Sequence, residues 1–448
     1  RHLGDRQVVE ETQRDDRDPN LNGTVTFTDA VTGATNLSNI AAVSPTFSTH
    51  GERTVFSAFG ELAVPVISSD MNVPLIRRLD VQLAGRYEHY SDFGSVAKPK
   101  IAAAWDLIDG IRLRGSYSKG FRAPNLEQTN AVAFSRLNTN GAASTDYYRC
   151  EADVRAGRLA ANNFPGCSRA IGYSISVSGN PDLKPENSTN WTAGVVLEPK
   201  FIPSEYGKLT FTADYWSIKQ TGIVGQFGAQ NALVLDYLLR LQGSSNPNVI
   251  RAAPTSDDTP VFAGTGLAPV GAVTLIKDQF VNLLPQTVRG YDLTMLYTVR
   301  TGFGRFNLNV NVARLTKYSR QTPPAVQALF DARAAGTINP ATPLTDASSL
   351  LQVNGKPKWR WSGSLTWTLG GVQLGGYANY IGTVYDTNFL DGAGNPFVVD
   401  GQTQFNLYAQ YRFRKGPMDG TSFRIGARNI FDKQLRIDVR FLRGMMRM

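Results

Sequence analysis

The stretch WRWSGSLTWTL, Trp359–Leu369, decides the fold. Trp359, Trp361, Leu365 and Trp367 alternate with Arg360, Ser362, Ser364 and Thr366. A period of two is the side-chain period of a β-strand, with one apolar and one polar face. The indole rings lie near both ends of the apolar row. A soluble core would bury such rings centrally. A strand that crosses a bilayer carries them at its two interfaces.

The alternation recurs outward from this stretch. In Leu79–Tyr90, Leu79, Val81, Leu83 and Tyr87 alternate with Asp80, Gln82, Arg86 and Glu88. Phe306, Leu308, Val310 and Val312 alternate with Asn307, Asn309 and Asn311. Phe405, Leu407, Tyr411 and Phe413 alternate with Asn406, Gln410 and Arg412. Tyr380 keeps the apolar phase near a strand end, while Tyr377 takes the opposite phase. Weaker cases fall near 54–66, 98–107, 111–118, 190–198, 208–219, 287–299, 371–382 and 422–431. These make about twelve strands of roughly ten residues, the length that crosses a bilayer with tilt.

The connections alternate in length. Short ones follow the strands ending near 107, 198, 299, 369 and 413, and long ones lie at about 119–189, 220–280, 316–356 and 383–402. Antiparallel up-and-down topology puts alternate gaps on the same side. The short gap near 91–97 falls on the long-loop side and is the exception. The expected fold is therefore all-β: a transmembrane antiparallel up-and-down β-barrel with long extracellular loops and short periplasmic turns. No run of 18 apolar residues suggests a membrane helix. Hydrophobic residues make up 42% and charged residues 19%, which excludes a disordered chain.

Net charge is +9, but Lys and Arg are scattered through the strands. Nucleic-acid binding would need them clustered on one face, so no nucleic-acid partner is expected. Attraction to anionic lipid headgroups fits the same charge. The two cysteines, Cys150 and Cys167, share one loop-like stretch and are expected to form a disulfide if the protein is exported. Free thiols are the alternative. No metal site and no cofactor are expected, because two Cys and three His occur at no ligand spacing. No nucleophile elbow, HExxH or P-loop is present, so no enzyme is expected. The acidic run Asp15, Asp16 and Asp18 is expected to be a solvated loop rather than a cation site.

Three segments carry a family resemblance: SYSKGFRAPNLEQ (Ser116–Gln128), GNPDLKPENSTNWTAGV (Gly179–Val195) and FRIGARNIFDKQ (Phe423–Gln434). Their distinguishing residues are Gly120, Phe121, Arg122, Ala123 and Pro124; Asn180, Pro181, Asp182, Leu183, Lys184, Pro185 and Glu186; and Asn429, Phe431 and Asp432. In this order the chain resembles the barrel of TonB-dependent outer-membrane receptors, from about Arg53 to Lys433. The residues themselves look structural. Pro124 ends strand pairing, and Asp182, Glu186 and Asn187 suit turn backbone. Direct ligand contact by Arg122 or Lys184 is the functional alternative.

The resemblance implies a receptor in the outer membrane of a Gram-negative bacterium. It implies energy-coupled uptake of a scarce nutrient, such as an iron-siderophore, haem, cobalamin or a saccharide. It further implies a plug domain and a TonB box that engages the TonB complex. Residues 1–448 then represent the C-terminal part of the barrel, about 12 of roughly 22 strands. Plug and TonB box are expected outside this sequence, which opens without a signal-peptide pattern. Residues 435–448 are expected to be an atypical or truncated tail. A passive porin-like channel, or a non-functional remnant, is the rival assignment. A soluble β-sandwich is a further one.

The long loops are the expected recognition elements. Within them Tyr147, Tyr148, Arg149 and Arg155, beside the Cys150–Cys167 pair, are the candidate ligand contacts. The alternative is a loop that only packs over the barrel mouth. Arg112, Arg114, Arg360, Arg412, Arg424 and Arg428 fall on the lumen phase. They are expected to pair with plug carboxylates, with attraction of an anionic ligand as the second possibility.

Overall fold

A computed structural model of the chain describes residues 4–17, 25–28, 35–38, 49–131, 134–138, 145–167, 169, 172–344, 348–390 and 396–433. One 13-stranded antiparallel sheet dominates, and its strands follow one another in sequence order. We number them β1 (Gly4–Arg17), β2 (Thr49–Ile67), β3 (Arg78–Tyr90), β4 (Gly94–Ile108), β5 (Ile111–Arg122), β6 (Glu186–Leu197) and β7 (Lys208–Thr221). The series continues with β8 (Gln286–Thr301), β9 (Gly304–Arg320), β10 (Trp359–Leu369), β11 (Val372–Ile381), β12 (Gln402–Arg412) and β13 (Ser422–Ala427). All twelve expected strands are present, and the order is the up-and-down order.

The thirteenth strand, β1, corrects one expectation. Asp15 and Asp16 do not lie in a loop: they sit in β1, in register with Gly51 and His50 of β2. Its sequence, GDRQVVEETQRDDR, is polar on both phases, so no alternation announced it. Asp18 and residues 435–448 lie outside the described residues. β13 ends at Ala427, and Asn429 and Asp432 then take left-handed backbone (φ 49° and 44°) that turns the chain out of the sheet. Asn429 anchors that turn, accepting from the Lys433 N–H at 3.0 Å.

Register settles the two faces. On one face Ile101, Tyr117, Trp191 and Ser217 are successive partners across β4–β7. Farther along, Leu308, Leu365, Gly376, Leu407 and Ala427 are partners across β9–β13. This face is apolar and open: Leu365, Leu407 and Ile101 are about half exposed. A soluble sheet would cover such a face, and hydrocarbon does so for a membrane barrel.

Aromatic rings border it. Trp191–Tyr215 and Tyr215–Tyr291 centroids lie 4.9 and 4.8 Å apart towards the long-loop end, where Trp361 also stacks on Tyr380. At the short-turn end, ring groups bond to the turns. Trp105 Nε1 donates to Leu75 O (3.0 Å), Trp367 Nε1 to Phe303 O (2.7 Å) and the Tyr297 hydroxyl to Tyr206 O. Each bond satisfies a ring donor and a turn carbonyl at the border where water runs out.

The opposite face is polar, carrying Asn309, Ser364, Tyr377 and Asn406 in one register row. Here one expectation changes. Arg112 is held by Asp106, with Nη2 to Oδ2 at 2.9 Å, and Arg114 by Asp214, with Nε to Oδ1 at 2.9 Å. Arg424 stacks on the Tyr408 ring at 3.8 Å. Arg112 and Arg114 are thus paired within the wall itself, because register places a carboxylate on or beside the facing strand. Gly194 makes room for the Arg114–Asp214 pair: a Cβ there would strike the Asp214 carboxylate.

Candidate functional site: the loop cap and the mouth beneath it

The long connections do not hang as separate loops. Segments of 123–185 and 222–285 build a small four-stranded sheet from Phe134–Asn138, Tyr173–Val177, Val273–Lys277 and Val249–Arg251. The central pairing, Tyr173–Val177 with Val273–Lys277, is parallel and joins the two loops. Helices α1 (Tyr147–Arg155), α2 (Ala229–Leu241) and α3 (Pro324–Ala334) pack with it, α3 coming from the third loop. Phe164, Tyr173, Val234, Tyr237, Ile276, Leu329 and Ile338 form its buried core. The apolar core of the described chain therefore lies in the cap, since the barrel strands turn their apolar side outward.

The sequence-derived candidates fall in this cap. Tyr147 and Tyr148 are 3% and 2% exposed, so their rings are core rather than surface. Tyr148 donates to Ala268 O, and burial pushes the Tyr147 hydroxyl up to about 12. Arg149 bonds Asp258 (2.5 Å) and Val270 O (3.0 Å). Arg155 pairs with Glu151 on its own helix, and Glu151 accepts the buried Tyr237 hydroxyl at 2.6 Å. Cys150 and Cys167 are joined, their Cα atoms 5.9 Å apart, which ties α1 to the segment around Phe164.

Charges hold the core together. Arg251, 6% exposed, bonds both oxygens of Asp146 and one of Asp236, and both carboxylates are fully buried. Arg240 and the Asn246 N–H also serve Asp236. Burial alone would raise the Asp153 carboxyl, but Arg169 and Arg158 outweigh it and hold the group low. Asp278 has no such cation, and burial raises it despite the Gly228 N–H.

The motif residues form the neck between barrel and cap. Arg122 pairs with Glu186, whose Oε1 also accepts the Val224 N–H at 2.8 Å. Gly120 is needed because a Cβ would crowd Ser188. Pro124 O accepts from the buried Arg53, which also pairs with Asp92. Tyr90 stacks on Phe93 and meets Phe121 edge-on. Asn180 bonds Phe280 O, and its Oδ1 accepts the Asp182 N–H. Asn282 bonds the backbone of Lys184 on both sides and reaches Gly222 O. Leu183 is buried, Pro185 O accepts from Asn187, and Ala123 and Pro181 lie in the same neck. Phe431 packs edge-on against Phe405.

Below the cap, on the polar face, lie two neighbouring concavities of about 530 and 320 Å³. Arg86, Lys98, Lys100 and Arg122 line the first, with Glu88. Arg122, Gln220, Gln286, Tyr318 and Arg320 line the second, with Glu186. Arg122 is common to both and remains 63% exposed despite its ion pair. Arg86 and Lys98 are register partners. Arg86 pairs with Glu88 on its own strand, and Lys98 donates to Asn187 Oδ1 at 2.6 Å. Arg320 keeps a buried Nε with no partner. The arrangement is a basic mouth whose cations outnumber its carboxylates, suited to an anion. Arg122 was a sequence candidate. Arg86, Lys98, Lys100 and Arg320 were missed. Alternation placed Arg86 on the polar phase of its strand, but Arg320 fell in the expected loop 316–356, and only register gathers the four.

Residues 5–430 match the family described as TonB dependent receptor-like, beta-barrel. The chain belongs to this TonB-dependent receptor family. The family places the barrel in the outer membrane of a Gram-negative bacterium and is a non-catalytic transport class. The curated Acinetobacter baumannii protein named "Probable TonB-dependent siderophore receptor PirA" is 28% identical over 131 residues, 29% of this chain and 14% of that protein. The crystal structure of that organism's siderophore receptor PirA aligns with TM-score 0.53 at 17% identity, over 86% of this chain and 43% of PirA. A mutant form of the Pseudomonas aeruginosa ferric enterobactin receptor PfeA aligns with TM-score 0.56 at 15% identity, over 95% of this chain and 45% of PfeA. The chain thus spans less than half the length of these relatives, and the structural likeness shows the fold.

Proposed function

We propose that the chain is the larger barrel part of an outer-membrane receptor that imports an anionic ferric siderophore. The observation that carries this is the basic mouth of Arg86, Lys98, Lys100, Arg122 and Arg320 beneath the packed cap. An anionic iron chelate would offset the excess of these five cations over Glu88 and Glu186 in the same lining. A neutral saccharide would leave that excess unmatched. The relatives named as siderophore receptors support the same choice. Uptake would draw on the TonB complex through a plug and TonB box belonging to the same receptor.

The test is uptake of radiolabelled iron carried by anionic catecholate and neutral hydroxamate chelators, with and without TonB. Expected is TonB-dependent uptake of an anionic chelate, lowered about tenfold or more by Lys98→Gln with Lys100→Gln, as charge contacts of roughly 1–3 kcal/mol are lost. Uptake that persists without TonB would instead establish a passive channel. TonB-dependent uptake indifferent to both substitutions would remove the anion-binding role of the mouth.

A further inference from the structure

Three concavities follow one another down the polar face of β3–β6. The first is the mouth concavity of about 530 Å³. Below it lies one of about 590 Å³, lined by Asp80, Gln82, Ala102, Ala104, Arg114 and Ser116. The last, of about 370 Å³, sits at the short-turn end among Arg77, Arg78, Asp106, Arg112, Glu198 and Lys200. All three fall in the size range of ligand pockets. The stretch of β3 from Arg78 to Glu88 borders the whole series, about 33 Å of strand and the length of a tilted bilayer crossing.

Register explains the groove. Successive rows are Ala84–Lys100–Ser118, Gln82–Ala102–Ser116–Thr192 and Asp80–Ala104–Arg114–Gly194. Ala or Ser stands in every row, so the face is low along β3–β5. The Ser116 and Thr192 hydroxyls satisfy each other at 2.8 Å. Rings flank the low strip. Phe59 on β2 borders it at the mouth, and the Trp216 ring on β7 lies across Gly290, where a Cβ would meet it.

Charge changes in character along the groove. At the mouth the cations outnumber the carboxylates. Below it each arginine has a carboxylate of its own: Arg78 with Asp80 at 2.7 Å, Arg114 with Asp214 at 2.9 Å and Arg112 with Asp106 at 2.9 Å. At the short-turn end Arg77 meets Asp109 at 3.2 Å and Lys200 meets Glu198 at 3.3 Å. A paired guanidinium keeps spare N–H donors, yet it attracts an anion only weakly. A series of weak sites lets an anion enter and leave, whereas a strong site would hold it.

The wall of β10–β12 is built differently. Tyr377 stands on its polar face in a row with Ser364 and Asn406. The Tyr408 ring lies across Gly375, where a Cβ would meet it, and Arg424 stacks on that ring. Bulky side chains thus rise on this wall, where β4 and β5 carry Ala and Ser.

We propose that the polar face of β3–β6 is the lane by which an imported anion leaves the mouth for the periplasm, passing between this wall and the plug of the full receptor. The inference rests on the chain being part of an anion importer, and it adds which wall the anion uses. Ala102 and Ala104 set the depth of the lane. Arg78, Arg112 and Arg114, each already paired, set its shallow attraction.

The test has two arms, both on the full receptor in cells. In the first, the probe is a ferric tricatecholate labelled with radioactive iron. Ala102→Glu with Ala104→Glu puts carboxylates into the lane. Surface binding in the cold should be unchanged, while TonB-dependent uptake falls about tenfold or more, because like charge repels the anion at that step. Ser364→Glu with Asn406→Glu, on the other wall, should change neither. An unchanged heat-dependent shift in gel mobility shows that each variant barrel is folded. In the second arm, a sulfonated thiol reagent is added outside energised cells carrying Ala102→Cys or Ser364→Cys. The chain's own cysteines are joined to each other and do not react. Expected is labelling of Ala102→Cys that needs TonB, with none at Ser364→Cys. Uptake untouched by the lane carboxylates, an equal loss from those on the other wall, or labelling at both cysteines or at neither would overturn the lane. If the probe does not bind the unsubstituted receptor, the anionic-siderophore assignment fails by itself, and TonB-dependent labelling of Ala102→Cys alone still upholds the lane.

Discussion

Arg251→Met removes the cation between Asp146 and Asp236 while keeping a long, flexible side chain. Both carboxylates are fully buried, so neither gains water in exchange. Breaking a buried pair by deleting one partner costs about 3–5 kcal/mol. The low end applies here. Asp236 keeps Arg240 and the Asn246 N–H, and Asp146 keeps the Arg149 N–H at 3.3 Å. About 3 kcal/mol is a factor of roughly 150 in the local opening equilibrium, at 1.4 kcal/mol per decade. Hydrogen exchange followed by mass spectrometry on the purified protein reads this directly. Peptides from 146–155, 229–251 and 273–277 should lose protection together, while those from β8–β12 keep theirs. Joint loss is expected because α1, α2 and the small sheet share one core. The reasoning fails if only the peptide holding Arg251 changes, or if cap and barrel lose protection equally. Adding Asp146→Asn should recover part of the loss, because it removes the stranded charge.

Three further outcomes follow from the same geometry. Replacing Cys150 and Cys167 together with Ala should speed exchange in 147–167 by about two decades. A loop of this length contributes roughly 3 kcal/mol, and an unchanged rate would mean the core alone fixes α1. Asp153 is held below its usual range, so its contribution is full above the unfolded carboxylate pKa of about 3.9 and is lost as pH falls through the lower folded value. Cap protection should therefore stay level down to about pH 4 and fall below it, and Asp153→Asn should flatten that slope. Gly194→Ala should push Asp214 off Arg114 and cost about 1–3 kcal/mol of overpacking, seen as a lower temperature for the heat-dependent gel shift, with no change in cap exchange.

Much of the barrel was legible in the sequence because a membrane strand writes its environment every second residue. Trp359–Leu369 was found to its last residue at both ends for that reason. β1 was missed because GDRQVVEETQRDDR has no apolar phase to read. The cap was legible only as length. Its helices and parallel strand pairing bring together residues such as Asp146 and Arg251, 105 positions apart, and no local period encodes that meeting. Tyr147 and Tyr148 show the limit most directly. Tyrosines in a long loop suggest contact with a ligand, yet here they fill a core that the other loops complete. The mouth was half legible: alternation put Arg86 on the polar face and the motif singled out Arg122, while register supplied Lys98, Lys100 and Arg320.

The shared core of the cap bears on how such a receptor can change what it recognises. Loops that stand alone can be lengthened, shortened or exchanged one at a time. Here Ile276 from one connection, Tyr173 from another and Leu329 from a third close the same interior. A deletion in any one would expose the apolar sides of the other two to water. New specificity is then easier to reach by exchanging the cap as a unit, cut at the neck, than by drift in a single loop. Point changes remain free mainly along the mouth below it, where Lys98 and Lys100 project from β4 outside that shared core.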